Sequence, residues 1–188
     1  MNSFYNEEEL KGFGLKQYGK NVLISKKCSI YSPENIELGN NVRIDDFCIL
    51  SGTIKLGNYV HISAYSGLYG KFGIEIGNFC GISPRCTILS GTDDFLGNYM
   101  ISPMVPEKYT NVSGGKIILK DFSQVGVNSV VMPSVTFEEG AVCGAFSFVN
   151  TSLKEWSVNT GIPAKYKKNR NNNPKTLSKN FLKEVENE

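Results

Sequence analysis

Residues 36–62 read IELGNNVRIDDFCILSGTIKLGNYVHI, and every sixth residue is aliphatic, at Leu38, Ile44, Leu50, Leu56 and Ile62. A second column of small or β-branched residues precedes the first by two positions. Residues two apart on a β-strand point to the same side, so the two columns line one interior. The stretch therefore predicts short parallel strands that turn every sixth residue, with three strands closing each triangular coil.

The six-residue spacing extends in both directions along the chain. With a two-residue slip before Ile76 and a long interruption before Leu119, all seventeen positions of the first column hold apolar residues. They are Ile24, Ile30, Leu38, Ile44, Leu50, Leu56, Ile62, Leu68, Ile76, Ile82, Ile88, Leu119, Val125, Val131, Phe137, Cys143 and Val149. An amphipathic helix needs a spacing of about 3.6 residues, and an antiparallel sandwich needs turn signals at roughly 8 to 12 residues. An all-β solenoid is therefore the predicted fold.

Glycine and asparagine recur between the predicted strands, at residues 39–41, 57–58 and 77–78. Tight corners favour residues that adopt a positive φ at low cost, and glycine and asparagine are the usual ones. We therefore expect positive φ values at these corners.

Composition and charge exclude several classes of protein. The 188 residues suit one domain, and the net charge of +2 gives no field that argues for nucleic acid or a membrane surface. No apolar run reaches the roughly 20 residues of a membrane span, and the first residues are acidic, so we expect a cytoplasmic protein. Five cysteines without a CxxC pair argue against disulfides and zinc, and the single histidine excludes a site of several imidazoles.

The repeat divides the chain into a core and two flanks. The expected units are residues 1–19, an N-terminal cap with a short helix over residues 6–12; residues 20–168, the β-helix; and residues 169–188, a polar tail with a short helix near residues 177–185. Inside the β-helix, residues 90–115 lose the spacing. Loops of that length in a compact domain are usually functional or disordered, and the aromatic residues here favour an ordered one.

Repeats such as residues 44–49, 76–81 and 125–130 resemble the hexapeptide repeat of bacterial β-helix acyltransferases, including the galactoside and xenobiotic acetyltransferases. The resemblance covers roughly residues 20–168. It implies a left-handed parallel β-helix, a homotrimer with active sites between subunits, and acetyl-CoA as co-substrate without a metal. It also implies that the loop of residues 90–115 reaches a neighbouring subunit.

His61 is the candidate general base, because transfer of an acyl group to a hydroxyl needs a base with a pKa near 7. It directly precedes the lining residue Ile62, so its side chain points away from the core. The alternative is a surface or interface histidine without a catalytic role. The nearby hydroxyls of Ser63, Tyr65 and Tyr69 are suited to orienting a sugar.

The chain departs from the galactoside-type pattern at the start of the loop. Those enzymes carry their catalytic histidine where this chain has Thr92, Asp93 and Asp94. We expect His61 to take over proton transfer, with Asp93 or Asp94 orienting it or acting on the acceptor, unless the two aspartates only cap a solvated turn. The separate base histidine of the bacterial amino-sugar N-acetyltransferases is also absent. Since an amine needs less activation than a hydroxyl, N-acylation stays open.

The resemblance places CoA along the late repeats. The implied contacts are Gly126, Gly144 and Ala145 for close backbone approach, Asn150 and Thr151 for pantetheine or adenine, and Lys165 and Lys168 for the phosphates. The primary prediction is an O-acetyltransferase acting on a sugar hydroxyl in surface polysaccharide synthesis. The alternatives are N-acetylation of a nucleotide-linked amino sugar and a non-catalytic or metal-dependent β-helix.

Overall fold

The structure, a computed structural model, describes residues 3–186, and within them the chain forms a parallel β-solenoid, as predicted. Most strands have two or three residues, as expected for a chain that turns every sixth position. The strands are β1 (Gln17–Tyr18), β2 (Leu23–Ile24), β3 (Ser29–Tyr31), β4 (Ile36–Leu38), β5 (Arg43–Ile44), β6 (Ile49–Leu56), β7 (His61–Ile62), β8 (Gly67–Ile76), β9 (Gly81–Ile82), β10 (Thr87–Leu89), β11 (Gly91–Thr92), β12 (Ser113–Gly114), β13 (Ile117–Leu119), β14 (Gln124–Val125), β15 (Val130–Val131), β16 (Thr136–Phe137), β17 (Val142–Cys143), β18 (Phe148–Val149), β19 (Ser157–Thr160) and β20 (Lys165–Asn169).

The coils have three faces. Face 1 is an eight-stranded sheet in the order β2-β5-β7-β9-β14-β17-β19-β20, parallel except for the last pair. The other sheet wraps around two faces, because β6 and β8 bend at Gly52 and Gly73, which have φ values of 86° and 96°. Face 2 holds β3, residues 49–51 and 67–69, β10, β15 and β18, and face 3 holds β1, β4, residues 54–56 and 74–76, β13 and β16.

Three corners connect the faces. The first corner, between faces 1 and 2, includes residues 63–65 and 83–85. The second corner, between faces 2 and 3, includes residues 69–73 and is where the loop of residues 90–115 departs. The third corner, between faces 3 and 1, includes residues 57–59 and 77–79.

The two predicted columns line the interior. Of the first column, sixteen of seventeen residues are buried, and Ile30 in the first coil is half-buried against them. Burying a leucine or isoleucine side chain stabilises a fold by about 1.5–3 kcal/mol, so the stacked columns supply the main stabilising term. The five cysteines are buried and reduced, and burial raises the pKa of the Cys28 and Cys80 thiols to about 12. They are lining residues, as expected.

The third corner corrects one expectation. Asn41 has a positive φ, as expected, but in the next two coils the positive φ belongs to Tyr59 and Phe79, two positions after Gly57 and Gly77. Glycine is required for a different reason: a Cβ on Gly57 would lie 2.8 Å from the backbone of Gly77 in the next coil. Asparagine side chains join the coils here, since the Oδ1 of Asn78 accepts a hydrogen bond of 2.8 Å from the backbone N–H of Asn58.

One helix flanks the solenoid at each end of the chain: the first covers the first coil, and the second packs along the third corner. Helix α1 (Glu7–Lys11) begins at Asn6 with a capping box and buries Leu10 over the first coil. The C-terminal flank is more ordered than the polar tail expected: residues 165–169 form β20, antiparallel to β19, and helix α2 (Asn173–Glu186) begins four residues before the expected helix. None of the helices within residues 3–186 is long and apolar enough to cross a membrane.

Helix α2 packs on a ladder of rings at the third corner. Tyr59, Phe79 and Phe122 stack with centroids 4.8 and 5.4 Å apart, and Phe181 of α2 meets Tyr59 edge-on at 5.2 Å. Arg170 anchors the connection by donating to the carbonyl oxygens of Phe122 and Gly140. The tail is therefore built into the fold through aromatic packing that the six-residue spacing does not reveal.

Candidate active site

His61 stands on face 1 and points outward, as predicted, with its side chain 48% exposed. Its Nε2 lies 2.7 Å from Oδ2 of Asp45 in the preceding coil, and the other oxygen of Asp45 accepts from Nε of Arg43 at 2.7 Å. Partial burial opposes ionisation of Asp45, but the hydrogen bonds from Arg43 and His61 outweigh it, so the pKa of this carboxyl lies below its usual value. A carboxylate only accepts hydrogen bonds, so Nε2 of His61 is the donor in this pair and Nδ1 is the ring nitrogen that Asp45 does not engage.

The neighbouring position on face 1 is Gly81, which pairs with His61 in register. A Cβ on Gly81 would meet nothing closer than Cγ of Gln124 at 3.9 Å, so the surface beside the imidazole is open. At the adjacent first corner, Ser63 and Ser83 occupy the same position in successive coils. The buried Ser66 hydroxyl donates to the carbonyl of Ser83 at 3.0 Å and fixes the backbone there.

The three residues predicted to orient a sugar divide between two corners. Ser63 and Tyr65 lie at the first corner, next to His61. The ring of Tyr65 stacks on Phe47 at 4.9 Å and has the guanidinium of Arg85 5.6 Å from its centroid, so both ring faces are occupied. Tyr69 ends its strand segment at the second corner, and the two tyrosines therefore serve different parts of the surface.

The two aspartates in the loop of residues 90–115 have different surroundings. The oxygens of Asp94 accept from the backbone N–H of Leu96 and Tyr99 at 2.9 and 2.8 Å, and these bonds lower the pKa of its carboxyl. Asp94 thus holds the turn of the loop. Within residues 3–186 the carboxylate of Asp93 makes no hydrogen bond or ion pair, and it is exposed. Asp93 is therefore the aspartate available to a ligand.

Within residues 3–186 no hydrogen bond or ion pair joins His61 to Asp93 or Asp94. His61 belongs to face 1, whereas the loop leaves the second corner between β10 and β13. Asp45 is the acidic partner of His61 within the chain. The sequence did not predict Asp45 as the partner of His61, because the two residues lie in different coils. Asp45 follows the lining residue Ile44, and His61 precedes the lining residue Ile62.

The residues expected to contact CoA lie at two corners of the late coils and in β20 on face 1. Gly126, Gly144 and Ala145 lie at the first corner. A Cβ on Gly126 would lie 2.5 Å from the backbone carbon of Gly144, so close stacking of coils already requires this glycine. The other predicted contacts, at the second corner and in β20, are Asn150, Thr151, Lys165 and Lys168.

A surface concavity near the C-terminal end joins two of these residues. Thr151 and Lys165 line it together with Lys154 and Tyr166, whereas Lys168 lies outside it. Two ammonium groups and a hydroxyl around one concavity suit a phosphate-bearing ligand.

Comparison with known proteins places the chain among sugar acyltransferases. No protein-family model matches it. It is 43% identical over 166 residues to the dTDP-4-amino-4,6-dideoxy-D-glucose acyltransferase of Escherichia coli, covering 87% of this chain and 86% of that protein. It is 28% identical over 160 residues to WbbJ of E. coli K12, named for lipopolysaccharide biosynthesis O-acetyl transfer, covering 80% of this chain and 77% of that protein.

Solved structures of AntD, an N-acyltransferase from Bacillus cereus, have the same fold. The complex of AntD with dTDP and 3-hydroxybutyryl-CoA superposes with a TM-score of 0.96 at 48% identity, covering 99% of this chain and all of that one. A variant of AntD in complex with dTDP-4-amino-4,6-dideoxyglucose and coenzyme A gives a TM-score of 0.95, covering 98% of this chain and 99% of that one. The chain therefore belongs to the family of hexapeptide-repeat sugar acyltransferases.

Proposed function

We propose that this protein is an N-acyltransferase that moves an acyl group from CoA to the amine of a dTDP-linked 4-amino-4,6-dideoxy sugar. The observation that carries the proposal is sequence identity over most of the chain to two proteins. It is 43% to the dTDP-4-amino-4,6-dideoxy-D-glucose acyltransferase of Escherichia coli, and 48% to AntD, solved with that amino sugar nucleotide and coenzyme A. These relatives support the N-acylation alternative better than the primary prediction of O-acetylation.

Two residues of this chain are proposed to contact the amine, because their spacing matches that of residues replaced in AntD. The AntD variants solved with CoA replace one serine or one aspartate, and these lie ten residues apart in that protein. In this chain Ser83 and Asp93 are the single serine–aspartate pair at that spacing in that order. We infer that Asp93 and Ser83 act on the acceptor, and Ser83 is a residue that the sequence interpretation missed.

The chemistry of amide formation suits an exposed carboxylate. The amine nitrogen attacks the thioester carbonyl, its N–C bond forms, and the C–S bond breaks to release CoA as the thiol. Nitrogen carries a positive charge in the tetrahedral adduct, so its proton is acidic and a weak base such as Asp93 can remove it. A hydroxyl acceptor must lose its proton during attack, which a carboxylate accomplishes poorly. Asp93 as base therefore favours an amine acceptor.

The hydrogen bond between His61 and Asp45 favours O-acylation as the second candidate. A neutral imidazole oriented by a carboxylate is the arrangement that activates hydroxyl groups in many enzymes. In this role Nδ1 of His61 takes the hydroxyl proton, and Ser63 and Tyr65 at the adjacent corner orient the sugar. Tyr69, at the second corner, is proposed to contact the sugar on the side of the loop.

The co-substrate is proposed to be an acyl-CoA lying along the late coils. Gly126, Gly144 and Ala145 leave a surface without large side chains, and Asn150 lies on the opposite side of face 2. Thr151 and Lys165, in the shared concavity, are proposed to hold phosphate oxygens. Lys168, in the same strand as Lys165, adds positive charge near them.

A homotrimer with sites between subunits is proposed for the assembly. The loop presents Phe95, Leu96 and Met104 with 86%, 86% and 90% of their surfaces exposed. Clusters of exposed apolar side chains mark interaction surfaces, and a second copy is the occupant expected from the family. Contact with a neighbour would also give the loop and face 1 of different subunits a common site.

A direct assay tests the acceptor. The wild-type protein is given acetyl-CoA or 3-hydroxybutyryl-CoA with dTDP-4-amino-4,6-dideoxyglucose, or with dTDP-glucose and a simple galactoside as hydroxyl acceptors. We expect free CoA thiol and a base-stable amide product with the amino sugar alone. Thiol release only with the hydroxyl acceptors would contradict the proposal and favour O-acylation, and the better acyl donor identifies the chain length.

A further inference from the structure

Ser90 lies where the loop leaves the second corner, and its side chain is fully buried. The hydroxyl donates to the carbonyl oxygen of Tyr69 at 2.9 Å and accepts from the backbone N–H of Phe72 at 2.9 Å. The backbone of Ser90 is engaged too: its N–H donates to Tyr69 at 3.0 Å, and its carbonyl accepts from Gly115 at 2.9 Å. One residue thus ties both ends of the loop to the preceding coil.

The ring of Phe72 reinforces this junction. Strands β11 and β12 pair antiparallel at the base of the loop, with Gly91 opposite Gly114. A Cβ on Gly91 would lie 2.9 Å from the ring of Phe72, and a Cβ on Gly114 would lie 2.7 Å from it. Side chains at either position would push the ring out, so the two glycines let Phe72 pack closely against the base of the loop.

The junction adjoins two groups of the proposed site. Asp93 follows directly after β11, whose first residue adjoins Ser90, and Tyr69 is held through its own carbonyl oxygen. Beyond Thr92 the chain leaves the paired strands, so the position of Asp93 depends on the base of the loop. Catalytic groups must be placed to within a fraction of an ångström, and a displacement of about 1 Å can cost about 10²-fold in rate.

We propose that Ser90 is a positioning residue for acyl transfer, whose hydroxyl joins the loop to the preceding coil and so sets the placement of Asp93 relative to Tyr69. This rests on the proposed function insofar as Asp93 and Tyr69 act on the acceptor. Ser90 itself is buried and does not touch substrate.

The test compares Ser90→Ala with Ser90→Thr and with a matched control. Ser25→Ala also removes a fully buried hydroxyl with two hydrogen bonds, but in the first coil, away from the loop. We expect Ser90→Ala to lower kcat about 10- to 100-fold with the KM for acyl-CoA unchanged, because the late coils are untouched. Ser90→Thr, which keeps the hydroxyl, should recover most of the loss, and Ser25→Ala should keep wild-type kcat.

A kcat for Ser90→Ala within about twofold of wild type, or a loss that Ser25→Ala shares, would overturn the proposal. If Ser90→Ala does not fold, Phe72→Leu decides: it loosens the same junction at a position that is 39% exposed, and we expect a smaller fall in kcat with the same unchanged KM. An unaltered kcat in Phe72→Leu then counts against Ser90. Amide hydrogen exchange at Gly115, expected to accelerate in Ser90→Ala, reports on the junction without any substrate.

Failure of the Ser90 proposal can be distinguished from failure of the N-acyltransferase proposal. If the wild-type protein acylates hydroxyls and not amines, the N-acyltransferase proposal fails. The kcat comparison is then made on the hydroxyl acceptor, where an unaffected Ser90→Ala overturns the positioning role independently.

Discussion

Nε2 of His61 lies 2.7 Å from Oδ2 of Asp45, and this hydrogen bond joins two successive coils on face 1. Because a carboxylate only accepts hydrogen bonds, Nε2 is the donor of this pair, and Nδ1 is the ring nitrogen left for another partner. The only imidazole of the chain is thus held by a carboxylate, while Asp93, whose carboxylate has no partner among residues 3–186, lies in the loop that leaves the second corner. In the roles proposed above, His61 would serve an alcohol acceptor and Asp93 an amine acceptor.

Substitution of Asp93 and His61 distinguishes these acceptors. With an amine acceptor, Asp93→Asn should lower kcat by about 10²-fold because the carboxylate removes a proton from the tetrahedral adduct, and His61→Gln should lower it by less than about tenfold. Glu107→Gln, which removes an exposed carboxylate elsewhere in the loop, is the control for loss of charge. Steady-state kinetics with each acceptor measure the effects, and the reverse order of the two losses would assign proton transfer to His61.

The paired carboxyl of Asp45 should make stability depend on pH. Its pKa in the folded protein lies below the unfolded value of about 3.9, so its ionised form stabilises the fold above that pH and the contribution is lost as the pH falls further. We expect Asp45→Asn to lower the free energy of unfolding at pH 7 and to approach wild type near pH 3. Urea unfolding across this range measures the difference. Asp93→Asn, which removes an unpaired carboxylate, should show no such convergence.

The ring of Tyr69 depends on the absence of a side chain at Gly67. A Cβ on Gly67 would lie 2.6 Å from Cε2 of Tyr69, so Gly67→Ala must displace the ring. If Tyr69 contacts the sugar, Gly67→Ala should raise the KM for the acceptor several-fold and leave the KM for acyl-CoA unchanged. The double variant with Tyr69→Ala should be no worse than Tyr69→Ala alone. Additive losses would instead indicate that Gly67 acts independently of the tyrosine.

Lys165 should contribute to binding of the acyl donor. Lys165→Ala is expected to raise the KM for acyl-CoA about fivefold at low salt, with a smaller effect at high salt because screening weakens exposed charge pairs. Lys167→Ala removes the same charge from the same strand but outside the concavity that holds Lys165, and should change the KM little. Equal effects of the two variants would mean that only net charge matters there.

Most of the core could be predicted from the sequence because its geometry is periodic. Residues at the same position of the six-residue repeat stack on one another in successive coils. The repeat alone therefore predicts that Ile62 and Ile82 are buried and that His61 points outward. The corners were predicted less well. The expected positive φ at Gly57 belongs to Tyr59, since stacking of coils, not backbone conformation, is what requires glycine at that position.

The candidate site could be predicted only in part. Asp93 and Asp94 are equivalent in the sequence, and the hydrogen bonds from Leu96 and Tyr99 distinguish them. The six-residue repeat does not predict the interactions of the loop, because these depend on where the long loop folds back onto the coils. Ser90, a small residue at the end of a regular strand, carries no sequence signal for its role at the base of that loop.

By itself, the sequence determined the solenoid, the direction of each side chain along it, and the resemblance to acyltransferases, because a repeated local pattern needs no long-range information. Only the tertiary structure decided which polar residues meet. It paired His61 with Asp45, bound the carboxylate of Asp94 to the loop backbone, left Asp93 without a partner among the described residues, and folded α2 onto the rings of the third corner. These contacts join residues from separate coils or from outside the repeat, so their partners depend on how the coils stack and where the loop and tail return.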